Sequence, residues 1–441
     1  MAKIGCGDHP EACRKYYRGG RRLKELTEAV VVEAVRIPTG KSGWKGMEKG
    51  GAYMNVSAQV LIAQAIQGLM ERVKEKCPQF DPLSIEDVAC GCLSQVGEQA
   101  GNIGRIAALA ADLPDEVAGW SIDRYCNAGL QAINSCAQAI MTGCGDVFIA
   151  CGVESMSHYA MGSSVRAAHQ AGLPLSFHPN FIQRGGFFIM GVSAEMVAER
   201  YNISREDMDR FGLWSNQKAI KAMREEEWYK KRIVPVTVEV KDQPPSIVDK
   251  DEPPYAVCLD DPEAAYEKMI KLEPRFKKAE EGGIVTAGNS SKIVDGASAC
   301  MLMSKEKASK LGLEPMVTIR SMAVAGTEPK IMLLGPIPAM KKALARAGRT
   351  MDDMDVWEPN EAFASPVLAF CKEFGVAYDD PRINPTGGAI AIGHPIGASG
   401  TIYFTEMVHW MVRNDLRWGL QCLCGGGGVG IATVVEREQY S

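Results

Sequence analysis

The sequence predicts an α/β fold built twice over, and three observations carry that expectation. Apolar runs of strand length alternate with longer runs of helical spacing. The order of these runs in the second half repeats the order in the first. Between the halves lies a stretch of different character, rich in charge and proline. An alternation of this kind builds a largely buried sheet flanked by helices.

Residues 1–25 read as an extension ahead of the fold, with the basic run "RKYYRGGRRLK" as a solvated arm. Cys6, His9 and Cys13 lie in this extension. They lack the partner pair that a zinc site needs, so no metal is assigned. "EAVVVEAVRIPTG" reads as a buried strand closed by a Pro-Thr-Gly turn. "SAQVLIAQAIQGLMERVKEKC" follows as a helix, with Val60, Ile62, Ala65, Ile66 and Leu69 as its apolar positions. "IEDVACGCLSQ" is a short strand. After it come a glycine-rich turn, a helix over 104–112, a helix that begins near Cys126, and the strand "DVFIACGVES".

The middle region holds a helix in "GVSAEMVAERY". A second helix runs through "EDMDRFGLWSNQKAIKAMREEEW", with Ser204 as its N-cap and Asp207 three residues on. In the second half "GPIPAMKKALARAG" and "TIYFTEMVHWMVRN" read as helices. "MDDMDVWEPNEAF" reads as a strand running into an acidic, amide-bearing loop. "SIEDVACG" pairs with "TMDDMDVWE", and "DVFIACGVES" with "LQCLCGGGG", at similar separations. The expected division is an extension over 1–25 and a first half over 26–157, completed by 282–307. An inserted unit spans 158–281 and a second half spans 308–441. The inserted unit, lying over the core, is a natural place to hold a ligand.

A chain of 441 residues has room for two or three domains or one large composite unit. A net charge of -5 gives no electrostatic reason to expect nucleic acid or an anionic membrane as partner. No apolar run approaches the roughly 20 residues of a membrane span. "MAKIGCGDHPEACRKYY" has no apolar core of a secretory signal, and its Asp8 and Glu11 argue against a transit peptide. A cytoplasmic protein with mostly reduced thiols is expected. Its 14 cysteines are then chiefly small buried hydrophobes, with one or two reactive thiols among them.

Four segments carry chemistry together. Cys126, in "SIDRYCNAGLQAINSCAQAI", stands at the start of a helix that is small and apolar on most faces. Unpaired N–H groups and the dipole at a helix start favour a thiolate, and bring a thiol pKa from about 8.5 to between roughly 3.5 and 7.5. On this segment alone a buried structural thiol is the simpler reading, and Cys136, mid-helix, keeps it. "NPTGGAIAIGHPIGASG" presents His394 on a tightly shaped loop, where glycines permit close backbone approach. "CGGGGVG" sets Cys424 beside several exposed N–H groups, as in an oxyanion hole. It leads into a strand and lacks the Walker lysine, which disfavours a nucleotide loop. "WEPNEAFA" supplies Asn360, an amide able to hold a water, and Glu361, a carboxylate able to orient a histidine. A thiol nucleophile, an imidazole base, a second thiol and oxyanion donors imply acyl transfer.

With these segments in view, the sequence resembles the thiolase family. "RYCNAGLQAI", "GVESMS", "MGVSAEMVAE", "GGIVTAGNSSKIVDGAS", "GPIPAMKKALARAG", "WEPNEAFA", "NPTGGAIAIGHPIGASG" and "CGGGGVGIA" occur in that family's order, from about residue 28 to the end. The resemblance implies a duplicated five-layer αβαβα core with an inserted loop domain. It implies Cys126 as the acyl-accepting nucleophile and His394 as the base for Cys126 or for CoA. Cys424 is implied as the second catalytic cysteine, and Asn360 as the residue that fixes a water in one oxyanion hole. The backbone N–H groups of Cys126 and Gly426 are implied as a second hole, and Ser291 as a neighbour of the CoA pantetheine. CoA is then a substrate, with no tightly bound cofactor, and a homodimer or homotetramer is the implied assembly.

The sequence departs from the family pattern in three places. Ala128 replaces a frequent Ser, "DKDEPPYAVCLDD" lacks an expected Arg, and Met161 stands where a biosynthetic thiolase tends to carry His, with His158 nearby. These point to a degradative 3-ketoacyl-CoA thiolase. The alternatives are a biosynthetic acetoacetyl-CoA thiolase or a subunit that requires a partner protein. A ketoacyl synthase would want a different histidine arrangement, and a non-catalytic acyl-CoA binder would need none of Cys126, His394 and Cys424.

Overall fold

A computed structural model describes residues 26–42, 51–172, 177–240 and 242–438. The first half runs β1 (Ala29–Arg36), β2 (Gly40–Lys41), α1 (Ala58–Lys76), β3 (Asp87–Gly91), α2 (Ile103–Ala110), β4 (Ala118–Ile122), α3 (Ala128–Thr142) and β5 (Val147–Glu154). An interposed stretch follows: α4 (Ser163–Gln170), α5 (Pro179–Gln183), α6 (Met190–Arg200), α7 (Arg205–Arg224), α8 (Glu226–Arg232), β6 (Val236–Val238), β7 (Ser246–Val248), α9 (Val257–Asp260) and α10 (Pro262–Met269). The chain then returns through β8 (Val294–Ser304) and α11 (Lys305–Leu311). It ends with β9 (Val317–Gly326), α12 (Pro336–Ala347), β10 (Val356–Pro359), α13 (Ala364–Phe374), α14 (Ser399–Asn414), β11 (Trp418–Gly425) and β12 (Val429–Glu436).

The strands order as β10-β11-β12-β9-β1-β8-β5-β3-β4, with β2 against β8. The duplication is visible in this list. In the first half β3 pairs parallel with β5, and β8 runs antiparallel between β5 and β1. In the second half β10 pairs parallel with β11, and β12 runs antiparallel between β11 and β9. The parallel bridge of Ile383 to Trp357 sits beside β10 as β4 sits beside β3. The segments paired by sequence, β3 with β10 and β5 with β11, therefore occupy equivalent places. Among the described residues the two half-sheets are joined where Val30 and Val31 of β1 pair with Thr318 and Val317 of β9.

Five layers follow from which face each residue buries. Alternate residues of β8 point opposite ways: Ala297, Ala299, Met301 and Met303 join the core under α1, while Cys300 and Leu302 join the central core. Helices α1 and α2 cover one outer face and α12 and α13 the other, while α3 and α14 lie between the half-sheets. Strands covered on both faces are apolar throughout, which is why they read as continuous hydrophobic runs. The central helices touch backbone to backbone near their starts. A Cβ on Gly129 would stand 2.9 Å from the Gly397 carbonyl oxygen, and one on Gly400 would fall on the Leu130 amide nitrogen. Larger residues at either position would push the two helix starts apart.

Two local expectations change. Val60 is 44% exposed, and the buried stripe of α1 runs through Leu61, Ile62, Ala65, Ile66 and Leu69. The long helix expected through residue 228 breaks at Glu225, which caps α7 with non-helical dihedrals before α8 starts. The Ser204–Asp207 capping box is present as expected. The zinc reading of Cys6, His9 and Cys13 and the extension over 1–25 lie outside the described residues.

A buried ion cluster ties the interposed stretch to both layers. Arg36 of β1 donates to Asp251 at 2.7 and 2.8 Å and to Glu406 of α14 at 2.6 Å. Arg232 donates to Glu406 at 2.9 Å and Tyr229 to Asp251 at 2.8 Å. Burial opposes the Glu406 charge, but Arg232 and Arg36 together hold its carboxyl down at about 2. Thr39 extends the cluster to the loop that carries His394, its N–H donating to the Asp251 carboxylate at 2.8 Å and its Oγ1 donating to the Ile392 carbonyl at 2.7 Å. Removing one member leaves a charge buried without compensation. Asp251→Ala is therefore expected to lower stability by about 3–5 kcal/mol. A urea midpoint equal to that of the parent protein would contradict this.

Candidate active site

Cys126 owes its position to a turn. Tyr125 adopts φ 52°, in the left-handed region, and its N–H donates to the Asp123 carboxylate at 2.8 Å. The Asn127 and Ala128 amides then donate back to the Arg124 and Tyr125 carbonyls, and α3 begins. This reversal turns the Cys126 side chain inward, where it is 3% exposed and packs with Leu93, Met156, Ile293 and Ile396. Asn127 does not cap its own helix. With its amide nitrogen turned inward it donates to the Leu423 and Cys424 carbonyls at 3.0 Å each, pinning the start of α3 to the end of β11.

Burial pushes the Cys126 thiol well above its ordinary range, and the neighbouring Cys424 pushes it the same way. The sequence expectation of a lowered pKa is overturned. The helix start acts on Cys126, but desolvation in an apolar pocket outweighs it. Cys424 is likewise buried and raised to about 12. Both thiols rest protonated at neutral pH.

His394 lies on the loop that leads into α14, and Ile396, two residues on, belongs to the Cys126 cluster. The His394 backbone N–H donates to the Lys292 carbonyl at 2.9 Å. Its Nδ1 lies 2.6 Å from Ser399 Oγ, which donates onward to the Pro395 carbonyl at 3.0 Å. With its own proton committed to Pro395, Ser399 Oγ accepts from Nδ1–H. That leaves Nε2 with a lone pair. Burial lowers the imidazole pKa to about 4, so the ring is neutral near pH 7. Asn360 Nδ2 faces Nε2 at 3.5 Å, the outer limit of a hydrogen bond. The Asn360 backbone is held by its N–H to the Cys422 carbonyl at 2.9 Å, and its Oδ1 is buried without a partner among the described residues.

Gly426 begins a tight turn after β11 and abuts Tyr125, next to Cys126. A Cβ there would stand 3.1 Å from the Tyr125 ring. Ser291 is half buried and donates its N–H to the Ala362 carbonyl at 3.0 Å, on the irregular segment that leads through Lys292 and Ile293 into β8. Cys136 packs inside α3, as expected.

Some assignments shift. Glu361 does not orient the imidazole. It accepts from Ser215 Oγ at 2.6 Å, Asn384 Nδ2 at 2.7 Å and the Ile390 N–H at 3.1 Å, and so braces the base of the loop. Ser399 takes the orienting place, five residues beyond His394. Glu154 was also missed. Its buried carboxylate accepts the N–H groups of Leu93, Ser94 and Gly397, each at 2.9 Å, and joins the His394 loop to the wall beside Cys126. The cue in both cases is a polar residue inside an otherwise apolar or glycine-rich segment. His158 is engaged elsewhere, with Glu98 at 2.9 Å and the Met54 carbonyl at 2.8 Å. Ala128 is fully buried where α3 meets Gly91 of β3, and a Cβ on Gly91 would stand 2.6 Å from its carbonyl carbon.

A neutral imidazole near a buried thiol, with a second thiol and a glycine-rich backbone turn alongside, fits an enzyme that passes acyl groups through a cysteine thioester. Comparison with known proteins narrows this class. Residues 29–306 match the family described as Thiolase, N-terminal domain, and residues 313–437 match Thiolase, C-terminal domain. The chain belongs to the thiolase family.

It is 40% identical over 419 residues to a 3-ketoacyl-CoA thiolase of Pseudoalteromonas translucida, covering 94% of this chain and all of that one. It is 39% identical to a steroid 3-ketoacyl-CoA thiolase of Mycobacterium tuberculosis, covering 95% and 96%. The crystal structure of an acetyl-CoA acetyltransferase from Bacillus anthracis superposes with a TM-score of 0.79 at 34% identity, covering 93% of this chain and 99% of that one.

Proposed function

We propose that this acyltransferase cleaves a 3-ketoacyl-CoA with CoA, giving acetyl-CoA and a shortened acyl-CoA, or runs the reverse condensation. The observation that supports the reading is geometric: Cys126 precedes α3, Ile396 of the loop that leads into α14 belongs to the Cys126 cluster, and Asn127 reaches the Cys424 carbonyl near the end of β11. His394 Nε2 takes the Cys126 proton as sulfur attacks the C3 ketone. The C2–C3 bond breaks, leaving the acyl group on Cys126 as a thioester and acetyl-CoA as its enolate. Cys424, still protonated, supplies the proton to C2. The proton held by His394 passes to the Cys424 thiolate, so that His394 can deprotonate CoA. The CoA thiolate attacks the thioester and releases the shortened acyl-CoA and a Cys126 thiolate, which takes the proton back from His394. Asn360, through a water, and the Gly426 and Cys126 amides are the donors proposed for the oxygen charges. Such a donor is worth about 3–4 kcal/mol when removed.

Relatives named for 3-ketoacyl-CoA cleavage favour the degradative direction over the biosynthetic alternative. The departures at Met161 and in "DKDEPPYAVCLDD" lie where the acyl tail and CoA are proposed to sit, with Ser291 near the pantetheine. A thiolysis screen over chain length, branching and ring content reads the acyl group directly. We assign 26–157 with 282–307 to one half, since β8 pairs between β5 and β1. We assign 158–281 to the inserted unit and 308–441 to the other half. A second copy of the chain is the proposed partner, supported by β4, an edge strand that is half exposed. We propose a cytoplasmic setting; among the described residues every cysteine is free and no helix is long and apolar enough to cross a membrane.

Cys424→Ala separates the two thiols. Acetyl-CoA is expected to label Cys126 in this variant, seen by peptide mass spectrometry, while thiolysis turnover drops by about 10²- to 10⁴-fold. Undiminished turnover would remove Cys424 from the mechanism.

A further inference from the structure

Lys292 is buried beside the catalytic loop, and the mechanism above does not use it. Its Nζ donates to Asn216 Oδ1 of α7 at 3.1 Å, to the Pro253 carbonyl at 2.8 Å and to the Ala391 carbonyl at 3.1 Å. It also stands 4.1 Å from the centre of the Tyr255 ring. Three acceptors equal the three protons of an ammonium, and a neutral amine would leave one of them unpaired. The main chain of the same residue grips the same loop, its N–H donating to the Ala389 carbonyl at 3.3 Å and its carbonyl accepting from the His394 N–H at 2.9 Å. The next residue, Ile293, packs against the cluster of Cys126, Met156 and Ile396. A single residue thus holds the His394 loop at Ala389, Ala391 and His394, and the interposed stretch at Asn216, Pro253 and Tyr255.

We propose that Lys292 is a positioning residue, whose ammonium clamps the His394 loop to the interposed stretch and so sets where the base stands relative to Cys126. This rests on the reading of His394 as the base. The clamp is responsive to pH. Burial draws the Lys292 pKa down to about 7, with Cys258 of α9 and Glu361 after β10 favouring the charge and Lys41 of β2 opposing it. Below that value all three acceptors are filled. Above it the contact with Tyr255 loses its charge and one carbonyl or amide oxygen is orphaned.

The test compares Lys292→Met, which has no donor, with Lys292→Gln, which keeps two N–H donors without charge. His394→Asn is the control. Each is checked for folding by circular dichroism and assayed for thiolysis of a 3-ketoacyl-CoA from about pH 5.5 to 9. Both Lys292 variants are expected to lose kcat by about 10- to 100-fold, as for a small misplacement of a reacting group, with KM little changed and Gln the milder of the two. The inflection near neutral pH in the parent profile should vanish in both. Asp295, raised by burial to about 6, also titrates in this range, and its contribution should persist. If either folded variant keeps the parent kcat and pH profile while His394→Asn is inactive, the clamp is overturned and the base assignment stands. If His394→Asn is itself fully active, the base assignment fails and the clamp with it. If Met fails to fold, Gln alone decides between these outcomes.

Discussion

Cys126→Ala is expected to reduce thiolysis by on the order of 10⁴- to 10⁶-fold, the loss seen when the covalent nucleophile of an acyl-transfer enzyme is removed. The variant should fold, because alanine takes less room in the same apolar pocket of Leu93, Met156, Ile293 and Ile396. No thioester should then form with acetyl-CoA or a 3-ketoacyl-CoA, and intact-protein mass spectrometry after brief incubation reads this directly. A label of acyl mass on another residue, or turnover within a factor of about ten of the parent, would move the nucleophile elsewhere. The size of the expected loss follows from chemistry that no other group in the site supplies. Cys424 is a thiol too, but the proposed reaction needs it to keep its proton until the enolate forms.

His394→Asn is expected to lower kcat/KM by about 10²- to 10⁴-fold, the usual range for a general base. Asparagine has no lone pair where Nε2 has one, and it breaks the relay from Nδ1 through Ser399 to the Pro395 carbonyl. The pH profile of the parent adds an independent reading. The imidazole pKa falls from 6.5 to about 4 on burial, so the ring remains a neutral base across the physiological range. Its acid limb should lie near pH 4 rather than near 6.5. The same shift links to stability. Because the folded protein binds this proton less readily than the unfolded chain, the contribution is fully present above pH 6.5. It is lost as pH falls toward about 4, by roughly 3 kcal/mol. An acid limb near 6.5 that disappears in the variant would show that the ring titrates freely and that burial does not set its state.

Much of the fold was legible because strands buried on both faces leave continuous apolar runs, and because the unit occurs twice. "SIEDVACG" and "TMDDMDVWE" could be paired by eye since each feeds the same position of its half-sheet, β3 or β10. Where the reading missed, the cause was not local. Val60 fits the apolar spacing of α1 as well as Leu61 does, and only the packing of β1, β5 and β8 against that helix selects the face. The break at Glu225 has no proline or glycine to announce it. The turn into α8 places Tyr229 and Arg232 against Asp251 and Glu406, partners 22 and 174 residues away.

The sequence by itself determined the fold class and which residues are available for the chemistry. A glycine loop, a helix of small residues and a cysteine at its start are demands of the local backbone, written in consecutive positions. The tertiary structure decided in what state those residues stand. The helix start argued for a thiolate at Cys126, and burial among residues from four other segments reversed it. Glu361 was close in sequence to Asn360, yet Ser399 is what orients the imidazole. Lys292 carried no signal until Asn216, Pro253 and Ala391 surrounded it. Desolvation and hydrogen-bond partnership depend on which distant segments close around a side chain, and no window of consecutive residues contains that information.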